Sequence, residues 1–178
     1  AQAGLFDWLW GSNKQGATKH PIVLVPGIFA FDTIAGVDYW YRIPSALEKE
    51  GATVFVPKIN AFDSSAMRGE RLIQQLDAIR ASSNGAITRF NLIGHSQGGV
   101  SSRYVMNVRP DLVASVTTLH SPHKGSPLAD VVTGVAPEGS LTGGGFEALA
   151  NTVGNLVNLL SANKADRSDI YAMLAEFN

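Results

Sequence analysis

Gly94-His95-Ser96-Gln97-Gly98 is the segment of this chain best able to do chemistry. It places a serine hydroxyl between two glycines, G-x-S-x-G, at the point where an apolar strand pattern gives way to a helical one. Strand and helix draw together at such a turn. Side chains larger than hydrogen at Gly94 and Gly98 would collide there, and Ser96 between them is expected at strained backbone angles. Gln97 opens the helix, so its backbone N–H points at the place where negative charge forms when Ser96 attacks an ester carbonyl. A second donor is expected from the loop after the first strand. Val25-Pro26-Gly27-Ile28-Phe29 makes a tight glycine turn that would aim the N–H of Ile28 into the same space. The chemistry this set supports is acyl transfer through a covalent serine intermediate.

A serine nucleophile needs a base, and the base an orienting acid. Four histidines are available. His20 precedes the first strand and reads as a surface residue. His95 neighbours the nucleophile, but the turn directs its side chain away from Ser96. His120 and His123 follow the fourth strand, at the edge of the sheet where Ser96 would sit. Enzymes built on this turn run nucleophile, acid, then a late histidine, which counts against both. Asp111 is the sole carboxylate between Ser96 and His123, and it lies on a Pro-Asp turn at the far end of the helix from the nucleophile. The residues leave acid and base unassigned. Metal binding has little support, because no H-x-x-x-H pairing occurs, and the phosphate-cradling G-x-x-x-x-G-K is absent.

Four strands are expected to carry these loops: Ile22 to Val25, Thr53 to Val56, Arg89 to Ile93 and Ala114 to Leu119. Between them lie helical patterns over Val37 to Glu50, Ala66 to Ala81 and Gln97 to Val108. The second has Met67, Leu72, Ile73, Leu76 and Ile79 at three- and four-residue spacing, with Ser64 or Ser65 as its cap. Alternation of strand and helix demands parallel pairing, so the fold class is α/β, a parallel sheet with helices on both faces. Ligands of such sheets bind beyond the carboxyl ends of the strands. Residues 1–19 form an N-terminal arm with the aromatic stretch Leu5-Phe6-Asp7-Trp8-Leu9-Trp10. Gly143-Gly144-Gly145 reads as a hinge before an amphipathic helix whose stripe is Phe146, Leu149, Val153, Leu156, Val157 and Leu160.

The 178 residues, 45% hydrophobic, suffice for a single core. Fourteen basic and fifteen acidic residues give a net charge of -1, with no basic face to neutralise phosphates, so nucleic acid is not an expected partner. Cysteine is absent, which excludes thiol chemistry. No apolar run reaches the roughly 18 residues needed to span a bilayer.

Several segments together resemble one family. They are His20-Pro21-Ile22-Val23-Leu24-Val25-Pro26-Gly27, Gly36-Val37-Asp38-Tyr39-Trp40-Tyr41, Arg68-Gly69-Glu70, Asn91 through Gly99, Ser102-Arg103-Tyr104-Val105 and Ser121-Pro122-His123-Lys124-Gly125-Ser126. In this order they are similar to the foldase-dependent Pseudomonas-type triacylglycerol lipases, of the α/β-hydrolase superfamily, from about His20 to near the C-terminus. The resemblance implies Ser96 as nucleophile, Ile28 and Gln97 as backbone oxyanion donors, and a structural turn at His123. It implies a lid helix at about 139–162 that opens at an oil–water interface, a lipid or ester substrate, secretion through the periplasm after signal-peptide removal, and a lipase-specific foldase as partner. No cofactor is required for the chemistry. A structural calcium is implied, with ligands outside this chain, as are the catalytic aspartate and histidine, so the chain is expected to be the N-terminal part of a longer enzyme with a missing C-terminal portion. One departure is Pro26, where the family usually has a histidine able to brace the oxyanion loop. Two other readings are a catalytically silent fragment or binding module and a short-chain carboxylesterase.

Overall fold

Ile22, Val23, Leu24 and Val25 offer water nothing to bind, and a bulky apolar run of this length favours extended, fully covered backbone. They form β1 (Ile22–Val25), with all four side chains buried. A computed structural model describes residues 16–27, 39–60 and 63–126. It places β1 between β2 (Val54–Phe55) and β3 (Phe90–His95), with β4 (Val113–Leu119) beyond β3, in the order β2-β1-β3-β4. Every pairing is parallel. Parallel neighbours need crossovers, and these are α1 (Ile43–Lys49), α2 (Ser65–Ser82) and α3 (Gln97–Val108), the last followed by a 3-10 turn at Pro110–Leu112.

The period of two along β1 divides the core. Val23 and Val25 point to one face, where Leu72, Ile73 and Leu76 of α2 and Val105 of α3 cover them together with Phe90 and Leu92. Ile22 and Leu24 point to the other, against Trp40 and Ala52, with Tyr39 and Leu47 beside them. Helices therefore lie on both faces, as the alternating pattern required. The connection from β1 leads to β2 on one side and that from β3 leads to β4 on the other. Strand order thus reverses between β1 and β3, and a crevice opens there beyond their carboxyl ends. Gly27 and Ser96 emerge at that point.

Several elements differ from the sequence pattern for identifiable reasons. The helix expected over Val37 to Glu50 begins at Ile43, because Arg42 takes a left-handed conformation (φ 57°) and Pro44 fixes the first turn. Tyr39 to Tyr41 form a turn ahead of it. The strand expected over Thr53 to Val56 contracts to two residues; among the described residues it is paired on one side only, and Pro57 has no N–H to continue a ladder. In α2, Ser64 is the cap, its Oγ accepting from the Met67 N–H at 3.2 Å. The apolar stripe holds at Leu72, Ile73 and Leu76, but Met67 is 53% exposed and Arg68 and Gly69 occupy the buried position instead. Of the arm, Gly16 donates to the Glu50 carbonyl at 3.0 Å. The lid segment at about 139–162, the aromatic stretch and Ile28 lie outside the described residues.

Candidate active site

Ser96 has φ 55° and ψ −130°, a region in which a residue with a Cβ costs about 1–3 kcal/mol unless its surroundings impose it. They do. Its N–H donates to the Leu119 carbonyl at the end of β4 (2.9 Å), and its carbonyl accepts from Gly99 N–H (3.1 Å) as α3 begins. The flanking glycines permit the contact of three backbones. A Cβ on Gly98 would stand 2.2 Å from the Val25 carbonyl oxygen, and one on Gly94 would stand 2.5 Å from the backbone of Gly98 and Gly99. The side chain of Ser96 is left half-buried in the crevice.

The loop after β1 lies directly against it: a Cβ on Gly27 would be 3.1 Å from Ser96 Oγ. Both polar sides of that loop are committed. Arg68, fully buried, donates through one guanidinium nitrogen to the Asn60 carbonyl (2.6 Å) and through another to the carbonyls of Pro26 and, at 3.5 Å, Gly27. On the opposite side, Gly27 N–H donates to Tyr39 Oη at 3.0 Å. Gln97 is the first residue of α3, so its N–H has no acceptor within the helix. Its buried side chain donates from Nε2 to the Asp63 carbonyl (3.1 Å), and Asp63 in turn pairs with Arg71 at 2.7 Å.

The histidines and the acid are also placed. His95 Nδ1 lies 2.5 Å from Tyr39 Oη, and its ring packs near Trp40 and, at 6.2 Å, His120. Burial, and then the charge of His120, hold the His95 imidazole below its ordinary pKa, which favours its neutral form. Burial likewise pushes the Tyr39 phenol up, against the Gly27 N–H that lowers it. His123 has both nitrogens engaged: Nδ1 accepts from Arg103 at 3.0 Å and Nε2 donates to Thr118 Oγ1 at 3.1 Å, which braces the turn. Asp111 belongs to an ion-pair cluster with Arg109, Arg80 and Asp77. Hydrogen bonds from Arg109 and Arg80 hold its carboxyl well below the usual range. The whole of α3, about 18 Å at 1.5 Å per residue, separates it from Ser96. Among the described residues no group of three or more His, Asp or Glu side chains gathers as a metal site.

Two residues of this site went unread in the sequence as structural devices. Tyr39 and Arg68 stood only inside segments quoted for a resemblance. Arg68 had a signal: it lies four residues before Leu72 and eight before Leu76, in line with the buried stripe of α2. A charged residue in that line needs buried partners.

The chain is 48% identical to a triacylglycerol lipase of Vibrio cholerae over 165 residues, covering 92% of this chain and 52% of that protein. It is 42% identical to a triacylglycerol lipase of Pseudarthrobacter phenanthrenivorans over 169 residues, covering 91% of this chain and 51% of the relative. The chain thus spans about half the length of the curated relatives it matches. The crystal structure of a metagenomic carboxyl esterase superposes with a TM-score of 0.53 at 22% identity, over 90% of this chain and 46% of that one, a likeness of fold. The alpha/beta hydrolase fold profile matches residues 20–169. With a parallel sheet in the order β2-β1-β3-β4 and a strained serine where β3 meets α3, the chain belongs to the alpha/beta hydrolase fold family.

Proposed function

We propose that Ser96 is the nucleophile of a lipase that hydrolyses carboxylic esters of acylglycerols. The observation that carries this is the strained Ser96 at the N-terminus of α3, facing Gly27 at the reversal of strand order. In the first step Ser96 Oγ bonds to the ester carbonyl carbon, and its proton leaves to a histidine. By resemblance, that base belongs to a portion of the family's sequence later than the residues present here. The carbonyl electrons move to oxygen, where the N–H groups of Gln97 and Ile28 receive the charge. The oxyanion then reforms the carbonyl, the alcohol departs with the proton, and water repeats the sequence to release the acid and restore Ser96.

The substrate class rests on two supports, the curated relatives named triacylglycerol lipases and the apolar stripe Phe146 to Leu160 in the lid segment. A helix of that kind covers the site in water and offers its apolar face to lipid. Secretion, a lipase-specific foldase and a structural calcium held outside this chain complete the proposal by the same resemblance. Hydrolysis of emulsified long-chain against soluble short-chain esters tests it in the complete protein. Turnover is expected to rise steeply once long-chain ester exceeds its solubility. Preference for soluble short acyl groups, with no rise at the interface, would assign a carboxylesterase instead.

A further inference from the structure

We infer that Tyr39 is a positioning residue for the oxyanion loop, tying that loop to the residue beside the nucleophile through the chain Gly27 N–H, Tyr39 O–H, His95 Nδ1. The inference rests on the reading of Ile28 and Gln97 as oxyanion donors. Pro26 has no N–H and no side chain able to hold the loop. The next amide, Gly27, is committed to Tyr39 Oη at 3.0 Å. That commitment passes the role of oxyanion donor to the following amide, Ile28.

Proton directions follow from the donors. Gly27 N–H can only donate, so the Tyr39 oxygen accepts from it, and the phenol proton goes to His95 Nδ1 at 2.5 Å. The imidazole then carries its own proton on Nε2. Both neutral forms are the ones burial favours. The Tyr39 ring stands edge-on to Trp40 at 5.3 Å and tilted against His95 at 5.7 Å. Among the described residues the charged or titratable neighbours are Arg68, whose charge acts on the phenol, and His120, edge-on to the His95 ring. Arg68 holds the carbonyls of the same loop. The loop is therefore gripped from its N–H side by Tyr39 and from its carbonyl side by Arg68. Because His95 is the last residue of β3 and Ser96 follows it, displacement of the loop relative to Ser96 requires breaking this chain.

The test is Tyr39→Phe in the complete protein, which keeps the ring and its packing and removes one oxygen. Hydrogen exchange at the Gly27 amide reads the positioning without reference to any reaction, and is expected to accelerate by about tenfold or more, the loss of roughly one hydrogen bond. Steady-state hydrolysis of a soluble p-nitrophenyl ester is expected to lose about tenfold in kcat with KM within twofold, because an oxyanion donor acts on the transition state and not on the bound ester. The double variant Tyr39→Phe/His95→Ala is expected to lose no more than Tyr39→Phe alone, since both cut one chain. Unchanged Gly27 exchange overturns the inference, as does an unchanged kcat or full additivity in the double variant. If the unsubstituted complete protein hydrolyses no ester, the proposed function fails, and accelerated Gly27 exchange still reports Tyr39 as the brace of the loop.

Discussion

Replacing Ser96 by alanine in the complete protein is expected to lower ester turnover by about 10⁴-fold or more while leaving the fold intact. The size follows from the chemistry: with no hydroxyl, no acyl-enzyme forms, and what remains is the contribution of the oxyanion donors and of binding. The intact fold follows from the geometry. The interactions that impose φ 55° on residue 96 are backbone ones, to Leu119 and Gly99, and alanine keeps them. Alanine also keeps the strain, since the cost comes from Cβ. Glycine at this position is expected to be as inactive but more stable, by up to about 1 kcal/mol after the extra freedom of glycine in the unfolded chain is subtracted. Turnover measured beside thermal unfolding checks both parts. Hydrolysis retained by the alanine variant would mean that another nucleophile does the work.

The second large effect is at Arg68, where Arg68→Met is expected to destabilise the protein by about 1–4 kcal/mol. Methionine fills much of the volume, so little of this comes from a cavity. The loss comes chiefly from the buried Pro26 carbonyl, left without its donor at a cost of about 1–3 kcal/mol, with a smaller part from the half-buried bond to the Asn60 carbonyl. Lysine is not a rescue, because one compact ammonium cannot repeat the planar fork that spans two segments. Activity is expected to fall more than stability alone explains, since the freed loop carries Gly27 and precedes Ile28. A urea unfolding series with kcat measured under native conditions separates the two. A midpoint within experimental error of the parent would contradict the role given to this guanidinium.

Arg68 also shows where a sequence stops being legible. The glycines, the turn and the following helix were readable because their demands are local: G-x-S-x-G specifies a backbone path, and Gln97–Val108 is the helix its pattern expected. The parallel sheet was readable from alternation, because parallel pairing follows from connection length. What escaped was long-range. Tyr39 lies twelve residues from Gly27 and fifty-six from His95 in the chain, and nothing in its own neighbourhood announces either partner. Arg68 reaches forty-two residues back to Pro26. The late start of α1 was a different failure, a left-handed Arg42 overriding a periodic pattern that continued upstream of it. Catalytic acid and base stayed open for a physical reason the structure shares. His123 is used up by Arg103 and Thr118, His95 by Tyr39, and Asp111 by two arginines a helix length away, while His120 stands edge-on to the His95 ring.

Ser96 as an activated nucleophile is read at the residue itself by reaction of the complete protein with a fluorescent alkyl phosphonate, followed by peptide mapping. The label is expected at near one equivalent on Ser96, and to vanish in the Ser96→Ala variant. A folded, complete protein that takes up no label, or carries it on a different serine, would contradict the assignment.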